Sequence, residues 1–157
     1  MNTTGRNCHG KSFRFMYDHN GPELQLGGDS VGRIVVQIDL PLPPSTNHLW
    51  KFGKRRCFPS QQYKTWVMEA KRAEMIQECR PPKNRCDSKK VKICIEVFPG
   101  KGFRWNRDGS NMIKASEDWL VNNGYIKDDS FQYVRETKVR LADHSVPESF
   151  VRLTVIQ

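Results

Sequence analysis

The sequence predicts a small α+β domain in which two helices pack on one face of a mixed β-sheet. Three observations lead to this fold class: alternating apolar segments, two segments with helical apolar spacing, and the order of these segments along the chain. The predicted order is strand, helix, strand, helix, strand, strand. A chain of 157 residues is long enough to bury the core of one such domain.

Four segments alternate apolar and polar residues with the period of two that a half-buried strand requires. The first spans residues 33–40 and ends at a run of prolines, which cannot donate a hydrogen bond to a neighbouring strand. The others span residues 91–98, 131–141, with Phe131 on the apolar side, and 150–156.

Two segments place apolar residues at helical spacing. The first helix is predicted over residues 61–78, with Ser60 as the N-cap and two prolines beyond its end. The second is predicted over residues 111–123, with Gly124 as the glycine that ends it.

Residues 1–31 are polar and rich in glycine, and we expect a flexible tail before a domain over residues 32–157. The sequence contains no apolar run of membrane-spanning length and no signal-peptide core, so we expect a cytoplasmic protein without a membrane partner. The cysteines form no CxxC pair and are expected to be reduced thiols. They are Cys8, Cys57, Cys79, Cys86 and Cys94.

The net charge of +9 points to a polyanionic partner, above all nucleic acid, although a merely soluble basic protein is an alternative. A loop after the first strand interleaves cations with Trp50, Phe52 and Phe58. Cations suit phosphates, and exposed aromatic rings suit unstacked bases. The structural alternative is a solvated turn whose aromatic rings pack inward.

Acidic residues stand at both ends of the second predicted helix: Asp108 before it, and Asp128 and Asp129 beyond it. Magnesium takes oxygen ligands and commonly uses only one or two carboxylates beside a substrate phosphate. A helix of this length measures about 20 Å at 1.5 Å per residue. These aspartates therefore converge only if the chain beyond Gly124 folds back.

Each of these residues also has a purely structural interpretation. Asp108 or Ser110 is a candidate helix N-cap. Asp128 and Asp129 are compatible with a polar turn, and Lys114 with Asp118 forms an ordinary i,i+4 pair. In a basic chain, the combination nevertheless favours a metal–phosphate site.

Three segments together resemble the RusA family of Holliday junction resolvases, small endonucleases of bacteria, phages and prophages. They are PLPPSTN at 41–47, the basic loop through Arg56, and RDGSNMIKASEDWLVNNGYIKDD at 107–129. The resemblance covers the chain from about residue 33 onward. It implies a homodimer that nicks four-way DNA junctions symmetrically in recombination and repair, with Mg²⁺ as cofactor and Mn²⁺ as a substitute.

The resemblance also implies roles for individual residues. Asp108 and Asp129 match the essential metal-binding aspartates, Asp128 matches their acidic neighbour, and Lys114 matches a catalytic lysine. The residues expected to contact the DNA backbone are Lys51, Lys54, Arg55, Arg56, Arg104 and Arg107.

The sequence departs from the family pattern at Ser110. The family usually has Asp-x-Asp-Asn where this chain has Asp108-Gly109-Ser110-Asn111, so a hydroxyl stands in place of a carboxylate ligand. A hydroxyl or a metal-bound water can fill that octahedral position. The alternatives are a non-catalytic DNA-binding protein that lost activity through this change, and an RNA-binding or regulatory module.

Overall fold

The computed structural model describes residues 32–82 and 90–157. Of the first 31 residues it describes only a short antiparallel strand pair, β1 (Gly5–Arg6) and β2 (Ser12–Phe13). The chain separates into two compact units, Met1–Gly32 and Arg33–Gln157. The predictions for the rest of the tail and for Cys8 and Cys86 fall outside the described residues.

The second unit carries the predicted fold. Its elements are β3 (Ile34–Pro41), β4 (Trp50–Phe52), β5 (Cys57–Pro59), α1 (Gln61–Ile76), β6 (Val91–Phe98), α2 (Ile113–Asn122), β7 (Val134–Leu141) and β8 (Phe150–Ile156). Four strands pair in the order β3–β8–β6–β7, with β6 and β7 parallel and the other pairs antiparallel. The prediction of a small α+β domain with a mixed sheet is confirmed.

The alternation of apolar residues turns one face of the sheet into the core. Ile38 of β3, Leu153 of β8 and Ile95 of β6 lie side by side in register, and each is at most 1% exposed. Trp66 of α1 and Trp119 of α2 belong to the same apolar cluster. Because burying each large apolar side chain stabilises the fold by about 1.5–3 kcal/mol, this cluster holds both helices on the sheet.

A row of alternating charges crosses the opposite face of the sheet. Asp39, Arg152, Glu96 and Arg140 lie in register, one on each strand in the order of the sheet. Arg152 donates to the two carboxylate oxygens of Asp39 at 2.7 and 2.9 Å, and Arg140 lies 3.0 Å from Glu96. Every charge in the row therefore has an opposite charge on an adjacent strand.

Three predicted boundaries were wrong by a few residues. Helix α1 ends at Ile76, and α2 begins at Ile113 because Gly109–Met112 form a 3₁₀ turn instead. Strand β7 begins at Val134, so Phe131 lies outside it and is 88% exposed. The reason is a turn before the strand, in which the carbonyl of Ser130 accepts hydrogen bonds from the N–H groups of Tyr133 and Val134.

The basic segment after β3 is a hairpin and not an irregular loop. Strand β4 pairs antiparallel with β5, and the N–H of Gly53 donates to the carbonyl of Arg56 at 2.8 Å to close the turn. Cys57 of this hairpin, Cys79 and Cys94 are free thiols, as predicted. None of the described helices has the length and apolarity needed to cross a membrane.

The turn after β6 depends on a glycine. A Cβ at Gly100 would lie 2.3 Å from the backbone nitrogen of Ser149 and 2.5 Å from the carbonyl carbon of Glu148, which are both rigid backbone atoms. We expect Gly100→Ala to lower the free energy of unfolding by roughly 3 kcal/mol, the upper range for overpacking. Urea denaturation followed by tryptophan fluorescence measures this.

Gly102→Ala is the matched control. Gly102 has a φ of 79° with open space around the position, so an alanine costs only the left-handed backbone conformation, about 1 kcal/mol. A smaller loss in Gly100→Ala than in Gly102→Ala would contradict this description of the turn.

Candidate functional site

Asp108 caps the 3₁₀ turn that leads into α2. Its Oδ1 accepts hydrogen bonds from the backbone N–H of Ser110 at 2.9 Å and from the Ser110 hydroxyl at 2.8 Å. The N-cap alternative is therefore realised, and Ser110 is the partner of Asp108. Capping does not exclude metal binding, because a carboxylate has two oxygens and about four lone-pair positions.

The PLPPSTN segment is bonded to residues on both sides of Asp108. The hydroxyl of Thr46 donates to the carbonyl of Asn111 at 2.9 Å, and the guanidinium of Arg107 donates to the carbonyl of Pro43. These bonds hold the segment after β3 against the start of α2. The PLPPSTN segment, which is distant from the acidic stretch in the sequence, thus stabilises the residues on both sides of Asp108.

The chain reverses direction at the end of α2 through a glycine turn. Gly124 has a φ of 77°, its N–H donates to the carbonyl of Val121 at 3.0 Å, and the N–H of Tyr125 donates to that of Leu120 at 2.9 Å. These two bonds define a Schellman motif, in which the left-handed residue is usually glycine. The prediction that Gly124 ends the helix is confirmed.

A buried tyrosine anchors this reversal. Tyr125 is fully buried, its ring stacks on Trp119 at 5.4 Å, and its hydroxyl donates to Glu74 of α1 at 2.8 Å. Burial raises the pKa of Tyr125, and the hydrogen bond to Glu74 raises it further. The phenol therefore stays protonated and donates to Glu74. The position of the turn is thereby fixed relative to α1.

Beyond the turn, Asp129 returns to the first turn of α2. Nζ of Lys114 lies 2.5 Å from Oδ2 of Asp129 and 2.8 Å from Oδ1 of Asp118. The Lys114 side chain is 49% exposed, so the group is open to solvent on one side. The hydrogen bonds to Asp118 and Asp129 raise the pKa of Lys114, and the ammonium stays charged. The chain beyond Gly124 therefore folds back far enough to bring Asp129 to Lys114.

Asp128 occupies a different environment from Asp129. Its side chain is fully exposed, and its Oδ1 accepts a hydrogen bond from the backbone N–H of Ser130 at 2.8 Å. Hydrogen bonding to Ser130 lowers the pKa of Asp128, and the charge of Lys114 adds to this. Asp128 thus forms the polar turn that was its structural alternative.

Within residues 32–82 and 90–157, no three His, Cys, Asp or Glu side chains form a group that could hold a metal ion. Asp108, Asp128 and Asp129 are thus not gathered into a three-carboxylate cluster. The residues present still fit magnesium bound by one or two carboxylates and substrate oxygens. Asp118 and Asp129 already share one positive charge, the ammonium of Lys114.

Two residues near this group, Glu117 and Tyr63, were not predicted from the sequence. Glu117 is half-buried and accepts a hydrogen bond from the hydroxyl of Thr137 at 2.6 Å. Burial raises the pKa of Glu117, and the negative charges of Asp129 and Asp118 add to the effect. Its spacing of three residues from Lys114 was a signal that could have identified it.

Tyr63 of α1 is the second residue that was missed. Burial raises the pKa of Tyr63, the charge of Asp118 raises it further, and the charge of Lys114 lowers it. The first turn of α1 therefore lies within electrostatic reach of the group on α2. No spacing in the sequence relates Tyr63 to Asp118, because their proximity depends on the packing of the two helices.

The predicted DNA-contacting residues lie in two places. Lys51, Lys54, Arg55 and Arg56 are all exposed on the β4–β5 hairpin. Arg104 is exposed before the Asp108 turn, whereas Arg107 is half-buried and bonded to Pro43. Burial lowers the pKa of Arg107, and the neighbouring charge of Arg104 adds to this.

The sequence matches no protein-family model and no curated protein. The resemblance to the RusA family therefore remains a prediction, carried by the residues quoted for it.

The position of Asp129 is open to a direct test through Glu117. Since the negative charge of Asp129 raises the pKa of Glu117, we expect Asp129→Asn to lower it. Titration of the Glu117 side-chain carboxyl by NMR measures the change. Asp143→Asn, which removes an exposed carboxylate from the turn after β7, is the control and should leave the Glu117 titration unchanged. An unaltered titration in Asp129→Asn would show that Asp129 does not lie against α2.

Proposed function

We propose that this protein is a magnesium-dependent, structure-selective endodeoxyribonuclease that resolves four-way DNA junctions by paired nicks. The observation that carries the proposal is the contact of Lys114 with both Asp118 and Asp129. Lys114 lies on α2, the helix that follows the Asp108 turn. The resemblance to the RusA family supports it, because the essential positions of that family fall on Asp108, Lys114 and Asp129.

Charge distribution supports DNA as the substrate. The chain carries a net charge of +9, and a cluster of exposed cations lies on the β4–β5 hairpin. The acidic side chains of the candidate site lie elsewhere, on α2 and beyond it. Cations bind phosphates without regard to base sequence and make the affinity depend on salt. A carboxylate group inside such a surface repels phosphate unless a cation accompanies the phosphate.

The proposed magnesium site uses Asp108 and Asp129. The Ser110 hydroxyl bonds to Asp108, and Asp128 is the sequence neighbour of Asp129. A magnesium ion bound there would polarise the scissile phosphoryl group and stabilise the leaving oxygen. Lys114 contributes a permanent positive charge, held in place by Asp118. An ammonium fixed in this way stabilises negative charge as it builds on the phosphate oxygens.

A homodimer would account for paired nicks. A four-way junction has approximate two-fold symmetry, and a two-fold dimer presents the same site twice in the matching orientation. One copy of the chain supplies one set of Asp108, Lys114 and Asp129, so symmetric cleavage requires two copies.

A second function is a junction-binding protein without nuclease activity. Two observations favour it: Ser110 stands where the RusA family has a carboxylate, and the ammonium of Lys114 already occupies the position between two carboxylates. Binding and cleavage assays on the same DNA separate the two functions.

The cleavage assay uses a synthetic four-way junction, the purified protein, and titrations of Mg²⁺ and Mn²⁺. We expect paired nicks from the wild type. Asp129→Asn should bind the junction but cleave about 1000-fold more slowly, since a metal ion supplies several kcal/mol of transition-state stabilisation. Asp143→Asn is the matched control and should cleave at the wild-type rate.

Two results would contradict the proposal in different ways. If the wild type binds the junction but does not cleave it at any metal concentration, the second function, junction binding without nuclease activity, is correct. A wild-type protein that does not bind branched DNA has neither function.

The departure at Ser110 has its own test. An aspartate there would place a second carboxylate beside Asp108, because the Ser110 hydroxyl lies 2.8 Å from Oδ1 of Asp108. We expect Ser110→Asp to lower the melting temperature without metal, through like-charge repulsion, and to show a larger rise in melting temperature with Mg²⁺ than the wild type. Ser110→Ala, which adds no charge, should show no larger rise, and an equal rise in both variants would place the metal elsewhere.

A further inference from the structure

The β4–β5 hairpin carries an aromatic ring that the fold leaves in solvent. Phe52 is 86% exposed at the last position of β4, immediately before the turn that begins at Gly53. Single exposed apolar residues are common on protein surfaces, so exposure alone decides nothing. Phe52 differs from such residues in its cationic surroundings and in the attachment of its hairpin to the core.

The residues around Phe52 are cations. Lys51 precedes it, and the turn adds three more exposed cations, Lys54, Arg55 and Arg56. Side chains alternate between the two faces of a strand, so Phe52 shares one face of the hairpin with Trp50, and Lys51 lies on the other. A flat ring among phosphate-binding cations is the combination that holds an unstacked base next to its backbone.

Aromatic contacts join the base of the hairpin to α1. The ring of Trp50 lies 6.2 Å from that of Tyr63, and Tyr63 stacks on the buried Trp66 at 5.9 Å with an interplanar angle of 14°. The hairpin is therefore supported by the core at one end and exposed at the other. Tyr63 is also the residue within electrostatic reach of Asp118 and Lys114.

Hydrogen bonds fix the base of the hairpin, where β4 begins and β5 finishes, to the start of α1. Ser60, the N-cap of α1, donates from its hydroxyl to the carbonyl of His48 at 2.6 Å and from its N–H to the carbonyl of Leu49 at 2.8 Å. The same hydroxyl accepts from the N–H of Tyr63 at 3.1 Å. The residues before β4 and the residue after β5 are thus held together, on the helix that also approaches the candidate site.

We infer that Phe52 stacks on an unpaired or unstacked base at a DNA branch point and gives the protein its preference for branched DNA over continuous duplex. The inference rests on the proposed function for its substrate class. In a continuous duplex each base is already stacked on both sides, so the ring has no base face to cover. At a branch point stacking is interrupted, and a base face becomes available beside phosphates that the hairpin cations bind.

The test is equilibrium binding of a four-way junction and of a linear duplex with the same arm sequence, in EDTA, where cleavage does not contribute. We expect Phe52→Ala to weaken junction binding roughly tenfold and duplex binding by less than about twofold, since stacking contributes only where a base is unstacked. Phe52→Leu keeps an apolar side chain without the flat ring and should behave like Phe52→Ala. Phe52→Trp should retain the wild-type preference.

Arg55→Ala is the contrasting variant. It removes a phosphate contact, so junction and duplex binding should weaken by the same factor, and the dependence on salt should become less steep. A 2-aminopurine base placed at the branch point should change its fluorescence on binding of the wild type and of Phe52→Trp, but less with Phe52→Leu.

Equal losses on junction and duplex in Phe52→Ala, no loss on either, or wild-type behaviour of Phe52→Leu would each overturn the inference. A wild type that binds both DNAs equally would overturn it too, because there is then no preference to explain. Since the measurement needs no cleavage, a protein that prefers junctions through Phe52 yet never cuts them would refute the nuclease activity alone.

Discussion

The candidate site depends on the reversal of the chain at Gly124. Glycine adopts the left-handed conformation there without a steric penalty, and the buried Tyr125 then fixes the direction in which the chain leaves. Without the reversal at Gly124, the residues beyond α2 would continue away from the N-terminal end of that helix. With it, Asp129 comes within 2.5 Å of Lys114, and side chains fifteen positions apart form one group. A backbone constraint in the core thus determines the chemistry on the surface.

Positive and negative charges are concentrated in different parts of the domain. Cations dominate the hairpin, while Asp118 and Asp129 concentrate negative charge around Lys114. The lysine balances part of this negative charge, which allows the two carboxylates to lie close together. Burial raises the pKa of the half-buried Glu117, and the negative charges of Asp129 and Asp118 raise it further. Asp118 and Asp129 together therefore carry one negative charge more than Lys114 balances.

Sequence patterns predicted the fold well where burial controls structure. The four strands of the main sheet, both helices and the glycine turn were predicted because alternation, helical spacing and capping report directly on which side of an element meets the core. The hairpin was missed because its short strands have no buried face, and Phe131 was misplaced because a turn interrupts an apolar alternation. The contact between Lys114 and Asp129 was not predicted. The sequence made only the convergence of Asp108 with Asp128 and Asp129 conditional on a fold-back, because spacing along the chain cannot show how far a turn folds back.

The strand order has a consequence for the synthesis of the protein. The last strand of the sheet, β8, lies between β3 and β6, and Asp39 pairs with Arg152 across 113 positions of sequence. At ordinary rates of translation, β3 waits on the order of ten seconds for its partner to leave the ribosome. Throughout that time its apolar face and its hydrogen-bonding edge are open to other chains. A nascent chain that stops before residue 150 also lacks the strand that joins β3 to β6, so early termination divides the sheet instead of shortening it.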